Sequence, residues 1–250
     1  MSKFTNVLGS TLASTASFWR GTNSRPAPNQ PLQLLELYDI ENCPYCRVVR
    51  ESLTVLDIDV IIYPCPKGGE RYRILVNERG GKAQFPFLVD NNTGVELYES
   101  ADIVTYLLKT YGDKNVGMSL HGLKIVGSML SSATRGLKGQ RVKPAKIPAK
   151  PLILYSFESS PFSRPVRELM CELELAYELR NTGKAIIKDI GPPGLRATLF
   201  PAEPVQGRNR LQLLEHAGKV QVPYLIDPNT NIEMFESNDI MAYLNETYAL

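Results

Sequence analysis

The chain has 250 residues, with 28 Lys and Arg, 26 Asp and Glu, and 43 % hydrophobic residues. This composition is that of a globular protein, and a net charge of +2 gives no reason to expect nucleic acid as a partner. No apolar run approaches the roughly 18 residues that a membrane span needs. Four cysteines are too few for a disulfide scaffold, and two histidines leave little for a metal site, so we expect no metal.

The N-terminal segment 1–34 contains no acidic residue and is rich in Ser and Thr, which is typical of a plastid transit peptide. Its stretch Val7–Thr15 (VLGSTLAST) is similar to Ile125–Ala133 (IVGSMLSSA), at an offset of 118. A targeting segment cannot act from the middle of a chain, so the second occurrence favours a structural helix at both places. A targeting peptide over residues 1–30 is the alternative.

The remainder of the chain repeats itself. Gln84–Tyr111 and Gln221–Tyr248 are identical at 15 of 28 positions, at an offset of 137. Upstream, Tyr38–Glu51 corresponds to Tyr155–Glu168 at an offset of 117. The second copy therefore contains a 20-residue insertion within about 181–207, a range that includes the turn-like Gly-Pro-Pro-Gly run at 191–194.

Hydrophobic periodicity and turn residues predict the order β-α-β-α-β-β-α in each copy. In the first copy we expect strands at Leu34–Tyr38, Val60–Tyr63, Phe87–Asp90 and Val95–Tyr98, and helices after Cys43, over Arg71–Asn77, and from Ser100 to about Tyr111. The copies form two domains, at 35–112 and 152–250. Residues 113–151 are a helical, basic, Pro-containing linker.

The linker has a one-sided charge, because no acidic residue occurs from Lys114 to Phe157. Leu123, Val126, Leu130 and Ala133 fall on one face of a helix. Segment 114–150 either makes peripheral contact with an anionic membrane or acidic partner, or packs its apolar face on the domains. We favour the packed helix.

Cys43 and Cys46 form a C-x-x-C at the first strand–helix junction. Unpaired N–H groups at a helix start favour a thiolate at Cys43, and Arg47 adds a positive charge nearby. Cys46 lies one turn inside the helix, which suits a resolving thiol. A zinc half-site or two inert core cysteines are the alternatives, but no second Cys or His pair completes a zinc site.

The element order, the C-x-x-C and the Pro before the third strand resemble the thioredoxin superfamily. Cys43-Pro44-Tyr45-Cys46 resembles dithiol glutaredoxins, and Glu99-Ser100 resembles the glutathione-binding half of glutathione S-transferases. This resemblance implies an α/β fold of two tandem thioredoxin-like domains, each preceded by an extra helix, without the all-α C-terminal domain of a transferase. The tandem arrangement also resembles a cyanobacterial and plastid family, which implies a bacterial cytoplasm or plastid stroma and not secretion.

The same resemblance implies a glutathione site in the first copy. Pro86 is expected to be cis, as is its counterpart Pro223, and the Phe85 backbone would pair with the cysteinyl unit of the substrate. Ser100 could bind a carboxylate while Glu99 holds an ammonium group, although plain N-capping by Ser100 is the alternative. The full set of expected glutathione contacts is Tyr45, Arg47, Gln84, Phe85, Pro86, Glu99 and Ser100.

The second copy lacks thiols at the matching positions, because Cys43, Cys46 and Cys65 correspond to Ser160, Ser163 and Ala202. Ser160 resembles the hydroxyl-bearing residue of serine-type glutathione transferases. Its candidate site comprises Ser160, Ser163, Val222, Pro223, Glu236 and Ser237. Cys65 could meet oxidised Cys43, bind glutathione or have no role, and Cys171 is expected to be a buried small hydrophobe.

We therefore expect a glutathione-dependent thiol–disulfide oxidoreductase that uses Cys43 and Cys46, with glutathione as cosubstrate and protein or small-molecule disulfides as partners. The second domain is expected to bind or to act as a scaffold. A non-enzymatic glutathione-binding or interaction module is the alternative, and S-transfer through Ser160 ranks below it. The sequence does not indicate which oligomeric state the protein adopts.

Overall fold

The computed structural model describes residues 3–112, 121–186 and 204–250. The first half contains α1 (Lys3–Ala16), β1 (Leu35–Asp39), α2 (Pro44–Val55), β2 (Val60–Pro64), α3 (Arg71–Gly80), β3 (Phe87–Asp90), β4 (Val95–Leu97) and α4 (Ser100–Thr110). The second half contains α5 (His121–Arg135), β5 (Leu152–Ser156), α6 (Arg164–Glu172), β6 (Tyr177–Asn181), α7 (Arg208–Ala217), β7 (Tyr224–Asp227), β8 (Ile232–Phe235) and α8 (Ser237–Tyr248).

The order expected from the sequence is confirmed in both copies, as is the extra helix before each. Most of the insertion in the second copy, including its Gly-Pro-Pro-Gly run at 191–194, lies outside the described residues. Among the described helices, none is long and apolar enough to cross a membrane.

The two copies share one sheet. In each copy the first two strands are parallel, and the third strand is antiparallel to the first. β2 of the first copy pairs antiparallel with β6 of the second, with Val60 opposite Leu179 and Ile62 opposite Tyr177. The strand order is β4-β3-β1-β2-β6-β5-β7-β8. Each copy thus covers an edge that the other would leave unpaired.

The helices α2 and α4 pack on the sheet through apolar residues at helical spacing. Val49, Leu53 and Leu56 of the first helix segment are buried, as are Ile103 and Leu107 of α4. One cluster of buried apolar side chains runs through both copies. The core is therefore continuous across the repeat.

A buried carboxylate fixes the end of α4 to the hairpin between β3 and β4. Asp90 accepts hydrogen bonds from the hydroxyls of Tyr106, at 2.6 Å, and Tyr111, at 2.5 Å. Burial alone would raise the pKa of Asp90, but these bonds and those from Asn92 lower it below its ordinary value. Asp227 repeats the arrangement in the second copy.

Arginines and carboxylates are buried between the copies. The Arg50 Nε donates to Glu158 at 2.9 Å, and Arg50 also pairs with Asp39. Arg167 donates to Glu41 at 3.1 Å. Each copy thus supplies a carboxylate to an arginine of the other, and losing one partner would leave a buried charge uncompensated.

Candidate functional site

A pocket of about 340 Å³ lies in the first copy. Three segments form it: the first turn of α2, the residues just before β3, and the junction of β4 with α4. The lining side chains are those of Tyr45, Gln84, Phe85, Pro86, Glu99 and Ser100. The structure thus brings together six of the seven residues that the sequence nominated for glutathione.

Cys43 directly precedes α2, at its N-cap position, and is partly exposed. Its pKa is lowered to about 7. The largest cause is a hydrogen bond from the Cys46 thiol; burial opposes it, and the backbone N–H groups of Cys46 and Tyr45 and the charge of Arg50 support it. A substantial fraction of Cys43 is therefore thiolate near neutral pH, which is the nucleophilic form.

Cys46 is fully buried one turn into α2. Burial, followed by its hydrogen bond to Cys43, raises its pKa well above the ordinary value. The pair is therefore asymmetric: an accessible thiolate in front and a protonated thiol behind it. That asymmetry suits an attacking sulfur and a resolving sulfur.

The other two thiols are buried, and burial raises the pKa of both. The Cys65 Sγ lies 3.4 Å from the Tyr63 carbonyl oxygen. Cys171 accepts a hydrogen bond from the Glu41 N–H at 3.5 Å, and its burial confirms the expectation of a buried small hydrophobe. Across the part of the chain described, no three His, Cys, Asp or Glu side chains are grouped to hold a metal ion.

Glu99 occupies an unusual backbone conformation at the pocket. Its φ is 62°, in the left-handed region that non-glycine residues rarely adopt. The carboxylate points to Gln84, whose Nε2 donates to it at 2.5 Å. The N-cap of α4 is Glu99, and Ser100 is the first helical residue, so the alternative of plain N-capping by Ser100 is wrong.

The Phe85–Pro86 and Val222–Pro223 peptide bonds are cis, as the resemblance implied for both prolines. Phe85 and Pro86 both face the pocket. The resemblance implied that the Phe85 backbone pairs with the cysteinyl unit of the substrate. This backbone lies beside the other predicted glutathione contacts.

Arg47 lies elsewhere than expected. Its guanidinium is buried and donates to Glu51, Ser17 and Ser131 at 3.0, 2.7 and 2.7 Å, on the side of α2 that faces α1 and α5. Its predicted place in the glutathione site is therefore wrong. The arginine that lowers the pKa of Cys43 is Arg50, which the sequence analysis missed.

A repeat-based signal for Arg50 exists. Arg50 and Arg167 correspond at the offset of 117, as do Glu41 and Glu158. Because these charges recur in a copy that lacks the C-x-x-C thiols, the repeat indicates that their primary role is to join the copies.

The serines of the second copy are in the interior. Ser160 is 1 % exposed, and its Oγ accepts hydrogen bonds from the N–H and the hydroxyl of Ser163, at 3.2 and 2.9 Å. The N-terminal segment covers this turn, since the Ser14 Oγ donates to the Ser159 carbonyl at 2.7 Å. This burial contradicts the expectation that Ser160 faces a glutathione sulfur.

The rest of the predicted second site repeats the first. The Gln221 Nε2 donates to Glu236 at 2.5 Å, and Glu236 has a φ of 68°. Ser237 is buried, like Ser100. The second copy therefore repeats the arrangement of the predicted glutathione contacts of the first copy, at Val222, Pro223, Glu236 and Ser237. The hydroxyls of Ser160 and Ser163, which would face the sulfur, are buried.

A second cavity, of about 420 Å³, lies in the second copy between α7 and the strands β5, β6 and β7, and no sequence pattern predicted it. Its lining is Ile153, Tyr155, Arg180, Gln212, Glu215, His216 and Ile226. Two of the charged or titratable side chains there have carboxylate partners: Arg180 binds Glu178 at 2.8 Å, and His216 lies 2.7 Å from Glu233.

Comparisons with known proteins give a family and two structures. A family model described as "Glutathione S-transferase, N-terminal domain" matches residues 37–115 and 154–250. The glutathione transferase BmGSTD1 of Bombyx mori is 29 % identical over 35 % of this chain and 43 % of its own, with a TM-score of 0.31. The same transferase in complex with GTT is 26 % identical over 35 % of this chain and 44 % of its own, with a TM-score of 0.27. The chain thus spans less than half of that transferase, and no curated protein matches it.

Proposed function

Because the chain belongs to the glutathione S-transferase N-terminal domain family, and its function is thus related to glutathione, we propose that it is a glutathione-dependent thiol–disulfide oxidoreductase. One observation carries this proposal. A thiol whose pKa is lowered to about 7 stands at the start of α2, two residues before a pocket residue, with a protonated thiol behind it. A protein that only binds glutathione has no need of that pair.

The pocket offers groups suited to the two charges at the γ-glutamyl end of glutathione. Glu99 is exposed and negatively charged, so it pairs with the γ-glutamyl ammonium group. Ser100, at the first position of α4, lies where the helix dipole favours a carboxylate. Gln84 orients Glu99 through their hydrogen bond. We infer that glutathione bound in this way points its sulfur towards the start of α2, where Cys43 lies two residues before the pocket residue Tyr45.

The reaction consists of thiol–disulfide exchanges. The Cys43 thiolate attacks the glutathione sulfur of a mixed disulfide, forms a Cys43–glutathione disulfide and releases the substrate thiolate, which takes a proton from water. A second glutathione thiolate then attacks the glutathione sulfur on Cys43, which yields glutathione disulfide and regenerates the Cys43 thiolate. Alternatively, Cys46 attacks Cys43 and releases glutathione, and two further glutathione molecules reduce the resulting Cys43–Cys46 disulfide.

Turnover of a glutathione mixed disulfide by the full chain tests this proposal. We expect Cys43→Ser to abolish turnover, and Cys46→Ser to retain it because glutathione can resolve the intermediate. Cys65→Ala is the control, since it removes a buried thiol outside the pocket, and it should retain turnover. Equal loss in Cys43→Ser and Cys46→Ser would contradict the glutathione route, and full activity of Cys43→Ser would refute the proposal.

A second candidate is glutathione binding without turnover in the second copy. It is favoured by the Gln221–Glu236 hydrogen bond and the cis Val222–Pro223 bond, which repeat the first site. Calorimetric titration of the full-length Cys43→Ser variant with glutathione distinguishes one binding site from two. S-transfer is excluded if conjugation of chlorodinitrobenzene is absent, whereas conjugation lost in Ser160→Ala would establish it.

A further inference from the structure

Helices α1 and α5 and the turns after them present large apolar side chains to solvent. We call these eight residues the apolar helix surface: Leu8, Leu12, Phe18, Trp19, Val126, Met129, Leu130 and Leu137. The two helices pack against each other, and Gly127 of α5 lies close to Ala16 and Arg20 at the end of α1. The exposed side chains therefore belong to one paired layer.

The helices α1 and α5 have the reverse of the usual polarity, because polar residues lie on their buried face and apolar residues on their exposed face. Their buried face carries Ser10 and Ser14 on α1, and Ser128 and Ser131 on α5, all fully buried. Arginines account for two of these serines: Ser131 accepts hydrogen bonds from Arg47 at 2.7 Å and from Arg164 at 3.2 Å, and Ser14 accepts one from Arg164 at 3.1 Å. A helix that packs on a protein in water normally buries its apolar face. The outward apolar face therefore indicates a further partner, and the expectation of an inward apolar face on the linker helix is wrong.

The repeat duplicates this exposure. At the offset of 118, Leu8 corresponds to Val126 and Leu12 to Leu130, and all four are exposed. Leu12 is 55 % exposed and Leu130 is 56 % exposed. Two copies of one sequence that diverged elsewhere have both kept an apolar residue at each of these outward positions, so the surface is a feature of the unit and not an isolated exposed leucine.

The charge of the surrounding chain selects the partner. Residues 1–35 contain three basic residues and no acidic one, and residues 114–157 contain eight basic residues and no acidic one. Ion pairs with Glu51, Glu168 and Glu172 compensate Arg20, Arg135 and Lys143, so the positive charge of these segments comes from their other basic residues. Two such surfaces repel each other, whereas an anionic surface attracts both. We propose that the apolar helix surface docks this protein on an anionic lipid membrane, with α1 and α5 lying in the headgroup layer.

The aromatic residues suit that depth. Phe18 is 80 % exposed, and Trp19 is exposed beside it at the edge of the layer; aromatic rings favour the membrane–water interface. Gly136, next to Leu137, accepts a hydrogen bond from Asn42 at 2.6 Å, and Asn42 directly precedes Cys43. Docking would therefore hold the thiol pair close to the lipid surface.

Trp19 makes the proposal directly measurable, because it is the only tryptophan in the chain. The full-length protein is titrated with vesicles of phosphatidylcholine alone, and with vesicles that contain about one-third phosphatidylglycerol. We expect a blue shift of Trp19 emission and co-sedimentation with the anionic vesicles only, both weakened at high salt. Equal binding to both vesicles, or to neither, would overturn the proposal.

A pair of double variants locates the contact. Leu12→Gln with Leu130→Gln should lower partitioning by about tenfold or more, because each leucine is withdrawn from hydrocarbon. Ile74→Gln with Leu211→Gln is the matched control: these residues correspond at the offset of 137 and are 51 % and 43 % exposed on α3 and α7. The control should bind like the wild type. Two results would contradict membrane docking. One is an equal loss of vesicle binding in both double variants, and the other is a wild-type dimer that the Leu12 and Leu130 changes abolish.

Discussion

Replacing Cys46 with alanine should raise the pKa of Cys43, because the Cys46 thiol provides the hydrogen bond that contributes most to lowering it. With a pKa of about 7, Cys43 is about half thiolate at neutral pH. A hydrogen bond to a charged group contributes about 1.5–3 kcal/mol, and about 1.4 kcal/mol is a factor of ten. The ratio of thiolate to thiol at Cys43 should therefore fall by about ten- to a hundredfold at neutral pH.

The assay is the pH dependence of iodoacetamide alkylation at Cys43, quantified by peptide mass spectrometry. Cys46→Ser is the matched control, because a hydroxyl still donates a hydrogen bond to the thiolate and is a better donor than a thiol. We expect the titration of Cys43 to move to higher pH in Cys46→Ala and to stay near that of the wild type in Cys46→Ser. An unchanged titration in Cys46→Ala would refute this reasoning and assign the thiolate to the backbone N–H groups and Arg50.

Three further predictions concern the pocket, the fold and the interface. Glu99→Gln should raise the KM for glutathione by about tenfold with little change in kcat, whereas its counterpart Glu236→Gln should leave steady-state kinetics unchanged. Folding lowers the pKa of Asp90, so its carboxylate stabilises the fold above about pH 4 and loses this effect as the pH falls through the folded pKa. In urea unfolding, Asp90→Asn should therefore lose less stability on acidification than the wild type. Arg50→Ala should lower the free energy of unfolding by about 3–5 kcal/mol, since it leaves buried carboxylates unpaired, whereas Arg79→Ala breaks solvent-exposed pairs and should cost less than about 1 kcal/mol in the same denaturation assay.

Features encoded in short stretches of the sequence could be predicted. The apolar spacing of Val49 and Leu53 defines the inner face of α2. α3 begins at the predicted Arg71 and continues past the predicted Asn77 to Gly80, where Gly81, with a φ of 77°, ends it. The pocket could be predicted because its residues follow recognisable turns and a motif shared with a known family.

Long-range arrangements could not be predicted in this way. Nothing in β2 or β6 alone indicates that Ile61 pairs with Glu178, because an edge strand has the same local pattern whether or not a second strand joins it. Arg47 and Arg50 lie on one side of α2, and only the carboxylates and serines supplied by distant segments decide what each arginine contacts. For the same reason periodicity alone assigned the apolar side of α5 inward.

The most direct test of the central claim is intact-mass and peptide analysis of the full-length Cys46→Ser variant after exposure to glutathione disulfide. The Cys43 thiolate should attack one sulfur of glutathione disulfide and release one glutathione thiolate, which leaves a single glutathionyl group on the protein. We predict one adduct per chain, located on Cys43 and formed more slowly when Glu99→Gln is added. An unmodified protein, or an adduct on Cys65 or Cys171 instead, would contradict the assignment of Cys43 as the glutathione-reactive thiol.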